Sequence, residues 1–204
     1  MKFRHAYTGI RLHRAAAILC ILFTPLLVYA MLMRDRLHLN VWGSLLIDLP
    51  VTITATCAWL GYAEGGKDEP AFLRARLPFW GCFAAAALSI NDPEYNLLLV
   101  VSSVLFALLL PLTMRATVRA VRPLAEQRSD RKMIARCNRA DRLFGVCAIS
   151  CAILSAAAHL LLYLEAQTAA MVLGILAAAL LLVVLIVFIV LLGQAKQMLP
   201  ASGG

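Results

Sequence analysis

The chain has 204 residues, 62% of them apolar and 15% charged, with a formal net charge of +8. The charges gather in short segments between long apolar runs, a pattern that excludes an ordinary soluble domain. A backbone in lipid must satisfy its own hydrogen bonds, and apolar runs near twenty residues without alternation do so as helices, which excludes a β-barrel. The expected fold class is therefore all-α, a polytopic membrane helix bundle built from residues 1–204 as a single membrane domain.

Lys2, Arg4, Arg11 and Arg14 precede an uncharged run, and the first span is read at 15–33. Val28-Tyr29-Ala30 also fits the small-residue rule of a signal-peptide cleavage site, but the apolar stretch is longer than a secretory core and runs on past it. Further spans are read at 41–62, 77–90, 97–114, 143–164 and 169–192. The third is short, roughly 21 Å as a helix against a hydrocarbon core of about 30 Å.

Charge settles whether it crosses. If it does, every Lys and Arg except Arg34 and Arg36 falls on the side of the N-terminus. If it does not, most of the positive charge lands on the opposite side, against the positive-inside rule. Six transmembrane helices with both termini inside, N-in/C-in, follow. Pro78 then occupies the opening turn of the third span, where a missing N–H costs little, with Phe79 and Trp80 at the inner interface.

Residues 115–142 are read as a basic amphipathic cytoplasmic loop carrying Arg115, Arg119, Arg122, Arg128, Arg131, Lys132, Arg136, Arg139 and Arg142. Pro123 is expected to break it and Ser129 to cap a new helix. Met133, Cys137, Ala140 and Phe144 recur at helical spacing, giving one apolar stripe suited to lying along anionic lipid at the cytoplasmic face or to docking a cytoplasmic partner. The stretch interleaves no aromatic for base stacking, so no nucleic acid is expected.

Asp48 is an acidic residue well inside a span, where a carboxylate costs up to about 3 kcal/mol on insertion scales. Ser44, Thr52 and Thr56 lie at steps of four from it, so a polar stripe is expected to face the bundle interior or a wet cavity, beside a kink at Pro50. On the fifth span His159 falls at a similar depth, and Ser102 and Ser103 do so on the fourth. Asp48, His159 and one of these serines are therefore expected to meet in an outward-facing polar site, with Trp42, Asn91 and Tyr95 near its mouth. The competing reading is that Asp48 and His159 only fix helix packing.

The six cysteines fall in inner halves or in the basic loop, where disulfides do not persist, and are read as small buried hydrophobes. No cofactor or metal site is expected, since no CxxC or matched histidine pair is present. Small residues at steps of four (Gly81, Ala85 and Ser89; Ala148, Ala152 and Ala156; Ala170, Gly174 and Ala178) favour close helix packing, within the chain or in a homo-oligomer or membrane complex.

HExxH, GxSxG and GxxxxGK are missing, and His159 with Asp48 would lack a nucleophile, all of which weighs against an enzyme. The expectation is a small-solute or ion transporter, or a membrane subunit of one, with its site around Asp48. The alternative is a non-catalytic structural or assembly subunit of a larger membrane complex. A multi-pass place in the cell membrane is expected, and the excess of Arg over Lys with abundant Ala and Leu points to a bacterial inner membrane.

Overall fold

The computed structural model describes residues 3–32, 41–91 and 97–199, with side chains described at all of these except 26–32, 41–48 and 89–91. The described chain is helical throughout: α1 (Arg4–Leu32), α2 (Val41–Asp68), α3 (Ala71–Arg74), α4 (Arg76–Asn91), α5 (Leu97–Gln127), α6 (Arg131–Tyr163) and α7 (Gln167–Met198). Over the described residues, α1, α5, α6 and α7 are long and apolar enough to cross a membrane.

α1 runs antiparallel between α2 and α7, α4 lies on α5, and α5, α1, α2, α4 and α7 surround a central space. α6 packs outside this group, against α5 and α7. Every Lys and Arg with a described side chain lies at one end of the bundle, the basic end, where the start of α1, the end of α2, α3, the α5–α6 turn and the end of α7 converge.

The close pairing of α1 and α2 follows from three glycines. A Cβ on Gly9 would stand 2.7 Å from both the Gly61 carbonyl and the Gly65 nitrogen, so the backbones touch as they do at small-xxx-small crossings. Polar contacts lock the register: Asp68 accepts from the Ala6 N–H at 2.7 Å, an anion on the opening turn of α1, and Glu64 bridges His5 and Lys67. The Lys67 and His5 hydrogen bonds hold the Glu64 carboxyl below its usual range.

The segment read as a loop at 115–142 is a helical hairpin, whose second helix is the one expected after Ser129. α5 continues through Pro123 to Gln127, and α6 begins at Arg131. A proline inside a helix costs about 3 kcal/mol. Val118, Val121, Leu124, Met133, Cys137, Ala140 and Phe144 are all buried around this hairpin, and each large apolar side chain contributes roughly 1.5–3 kcal/mol, so packing prevails. The apolar stripe on α6 is where its spacing put it, but it is covered by protein rather than lipid.

Ser129 does not cap α6. It adopts φ 55 and closes α5, with Asp130 N–H donating to the Ala125 carbonyl and Ser129 N–H to the Glu126 carbonyl, a Schellman ending. Asp130 is the cap, its carboxylate accepting from the Met133 N–H at 3.0 Å. The same ending recurs at Glu165, φ 60, between α6 and α7.

Candidate functional site

A cavity of about 220 Å³ lies between α1, α2, α4, α5 and α7. Alanines and cysteines make the room: Ala16, Ala17 and Cys20 on α1, Ala55 and Ala58 on α2, and Cys82 and Ala86 on α4 all line it. The space runs from His13 and Tyr62 near the basic end to Phe23, Pro50 and Phe106 further in.

Its floor at the basic end is aromatic. The His13 ring meets Tyr62 edge-on with centroids 4.1 Å apart and stacks over Phe72 at 6.1 Å, and Tyr62 lies 5.5 Å from Phe79. Tyr62 and Thr117 join α2 to α5 through a buried 2.9 Å hydrogen bond. The Thr117 hydroxyl already donates to the Thr113 carbonyl, so the phenol is the donor.

Hydroxyls on the wall are likewise committed to their own helices, Thr54 to the Pro50 carbonyl and Thr113 to that of Leu109, both at 2.8 Å. His13 differs. It is 3% exposed, and its Nε2 is buried without a hydrogen-bond partner among the described residues. Arg14 and Arg76 each carry a buried Nε in the same condition, but neither lines the cavity.

The residues expected to form a polar site are described only in part. Asp48 and Ser44 lie in the opening turns of α2, and their side chains fall outside the described residues, as do those of Trp42, Asn91 and Tyr95. Of the expected stripe, Thr52 and Thr56 are exposed on α2 beside Ile53 and do not line the cavity. A threonine can return its hydroxyl to a carbonyl of its own helix, so its polarity does not force it inward. Thr54 takes the cavity-facing position.

Ser102, 1% exposed, and Ser103 both donate to the Leu99 carbonyl, at 3.0 and 2.7 Å. His159 is half-buried on α6, and among the described residues α6 and α2 do not pack on each other. The described structure therefore does not bring His159 to α2.

The basic residues divide. Arg115 binds Asp141 bidentately, at 3.0 and 3.2 Å, and Arg119 clasps the same carboxylate. Burial is the largest single influence on the Asp141 carboxyl and pushes its pKa up, but the two guanidiniums together hold it below the usual range. Arg122 pairs with Glu126, and Arg128 stands over the Phe3 ring. Arg131, Lys132, Arg136, Arg139 and Arg142 are exposed along the first turns of α6, spread over roughly 16 Å of helix.

Sequence reading singled out none of His13, Gly61 and Gly65. The signals were present: a histidine two residues before an apolar run, and Gly-Tyr-x-x-Gly at the end of another. All six cysteines are free thiols, and burial pushes the Cys137 thiol up to about 11, which keeps it protonated. Among the described residues no three His, Cys, Asp or Glu side chains gather as a metal would require. No family model, curated protein or solved structure matches the chain, so its function must be argued from its own geometry.

Proposed function

We propose that the chain is a six-span inner-membrane protein of a bacterium, N-in/C-in, that carries a small solute through the centre of its helix bundle. The cavity carries this reading: five helices surround a space that small side chains keep open, where a purely structural bundle would fill it. Placing the basic end in the cytoplasm satisfies the positive-inside rule, with α2 and α4 as the two crossings beyond the four long apolar helices. The apolar lining favours a neutral solute over an ion, since no described residue of the cavity offers a counter-charge.

Asp48 is two residues from Pro50, which lines the cavity, and we assign it to the outer end of the same path, with Ser44 nearby in sequence. Arg115, Arg119, Arg139 and Arg142, nearest the spans, are assigned to anionic lipid head groups. Arg131, Lys132 and Arg136 stand further out, beyond a Debye length of about 8 Å, and suit a cytoplasmic partner.

The alternative, a structural subunit, is favoured by one observation. Gly174 and Ala178 face outward on α7, and nothing lies within 4 Å of where a Gly174 Cβ would be, a surface suited to another helix. A variant keeping Cys82 as its sole cysteine separates the two. A carrier exposes this cavity thiol to a membrane-impermeant thiol reagent from both sides of sealed vesicles, whereas a structural subunit leaves it unlabelled from either. Asp48→Asn in a carrier keeps normal abundance and makes labelling one-sided; lost abundance supports the subunit.

A further inference from the structure

Four features of the cavity fit one kind of occupant. The wall is apolar apart from His13 and hydroxyls, and the hydroxyls of Thr54, Thr113, Thr117 and Tyr62 are already engaged. Among the described residues no charged side chain lines it. Its size, about 220 Å³, exceeds the roughly 150 Å³ apolar cavities that stay dry and take benzene. Finally, α2 and α4 both line the space yet scarcely touch each other, so the wall is weakest where those helices face the bilayer.

We infer that the cavity binds a neutral, single-chain membrane amphiphile, its apolar body among the alanines and its hydroxyl or carbonyl head hydrogen-bonded to His13, arriving from the inner leaflet between α2 and α4. This rests on reading the cavity as a binding site and narrows the solute to a molecule that already partitions into lipid.

A charged head would be buried without a partner. A neutral head supplies the hydrogen bond that a buried imidazole otherwise forgoes. The neutral ring has both a donor and an acceptor nitrogen, so it accommodates an alcohol or a ketone through choice of tautomer. In the empty cavity Nε2 rests against Gly61, where a Cβ would stand 3.0 Å away, and is closed off from the space, so the imidazole turns about its Cβ–Cγ bond to meet the head group.

Photolabelling in phosphatidylcholine vesicles tests this, with a diazirine-bearing octanol as probe and the matching diazirine octane and octanoate as controls, adducts being mapped by mass spectrometry. The expected result is saturable alcohol labelling on cavity residues of α1 and α4, abolished by Ala55→Trp, which fills the space. Ala86→Trp fills it from the opposite wall should the first variant not fold. His13→Phe keeps a ring against Phe72 and is expected to weaken alcohol labelling about fivefold, the worth of one hydrogen bond, while leaving the octane probe unchanged.

Labelling that never saturates and falls on outward residues such as Ile149 and Ile153 would overturn the proposal. So would stronger labelling by octanoate than by the alcohol, or an equal loss of alcohol and octane labelling in His13→Phe. Saturable labelling without two-sided Cys82 access would leave this inference standing and remove the carrier reading; two-sided access without saturable labelling would do the reverse.

Discussion

At the basic end Ile10, Phe72, Val118, Leu124, Met133 and Leu192 are enclosed on every side, as in the core of a soluble protein. Over residues 148–163 of α6 and 167–180 of α7, at the opposite end, Ile149, Ile153, Met171 and Ile175 point outward and the residues that are covered are small: Ala148, Cys151, Ala158, Ala170 and Ala177. The first region can gain from removing apolar surface from water. In a bilayer the second would gain little by that route and would depend on close helix approach. Stability is therefore concentrated at one end, and the adjoining cavity can stay open without threatening the fold.

The sharpest way to break this contrast is at the α1–α2 crossing. Gly9→Leu must force a side chain into the backbone of Gly61 and Gly65, neither of which can rotate away. Overpacking of this kind is expected to cost about 3 kcal/mol, seen as a large drop in thermal midpoint in detergent and in membrane abundance. Gly174→Leu, where a Cβ meets open space, should change the monomer little. Equal damage from both substitutions would mean that the two regions are not held differently.

Asp141 tests the basic end electrostatically. Asp141→Asn leaves Arg115 and Arg119 without their shared carboxylate and is expected to lower stability by about 1–2 kcal/mol, since Asp141 is mostly covered but Arg119 is solvent-exposed. The folded carboxyl titrates below its ordinary value of 3.8, so the unfolded chain binds more protons in that interval. Its contribution is complete above pH 3.8 and is lost as pH falls through the lowered value. Denaturation between pH 5 and about 2 should show this slope in the parent and a flatter one in Asp141→Asn.

Composition and charge spacing made the helical class legible, and the period of Met133, Cys137, Ala140 and Phe144 identified a buried face correctly. The same reading mistook what covered that face. The local signal at Pro123 argued for a break that does not occur, because two long helices gain more by packing together than a proline costs, whereas the one at Ser129 fell at the turn itself, one residue before the cap Asp130. Thr52 lies outside the cavity for a related reason: helical period says which residues share a face, not which face is turned inward. Only the neighbours of α2 decide that. His13 was legible as a residue but not as a site, because its isolation depends on Gly61, Tyr62 and Phe72, which come from distant segments.

Tyr62 stands where the packed end meets the cavity. Tyr62→Phe removes the donor to Thr117 but keeps the ring between His13 and Phe79, and Thr117 still donates to Thr113. The expected loss is about 1 kcal/mol in chemical denaturation, with no change in cavity size. A loss as large as that of Gly9→Leu would mean that the cavity floor, rather than the helix crossing, holds the two regions together.

The smallest expected effect is a gain. Ser129 is exposed and has φ 55, a region where a non-glycine residue carries a penalty of roughly 1–2 kcal/mol. Its role in ending α5 is performed by backbone atoms, through the bonds to Ala125 and Glu126, so glycine can replace it without losing a contact that shapes the turn. Glycine also gives the unfolded chain more freedom, which offsets part of the benefit. Ser129→Gly should therefore stabilise the hairpin by about half a kcal/mol, read as slower hydrogen exchange at the Met133 amide that Asp130 caps. Cavity labelling should be untouched, because the turn belongs to the packed end; a coupled change in both would show that the two regions open as one unit.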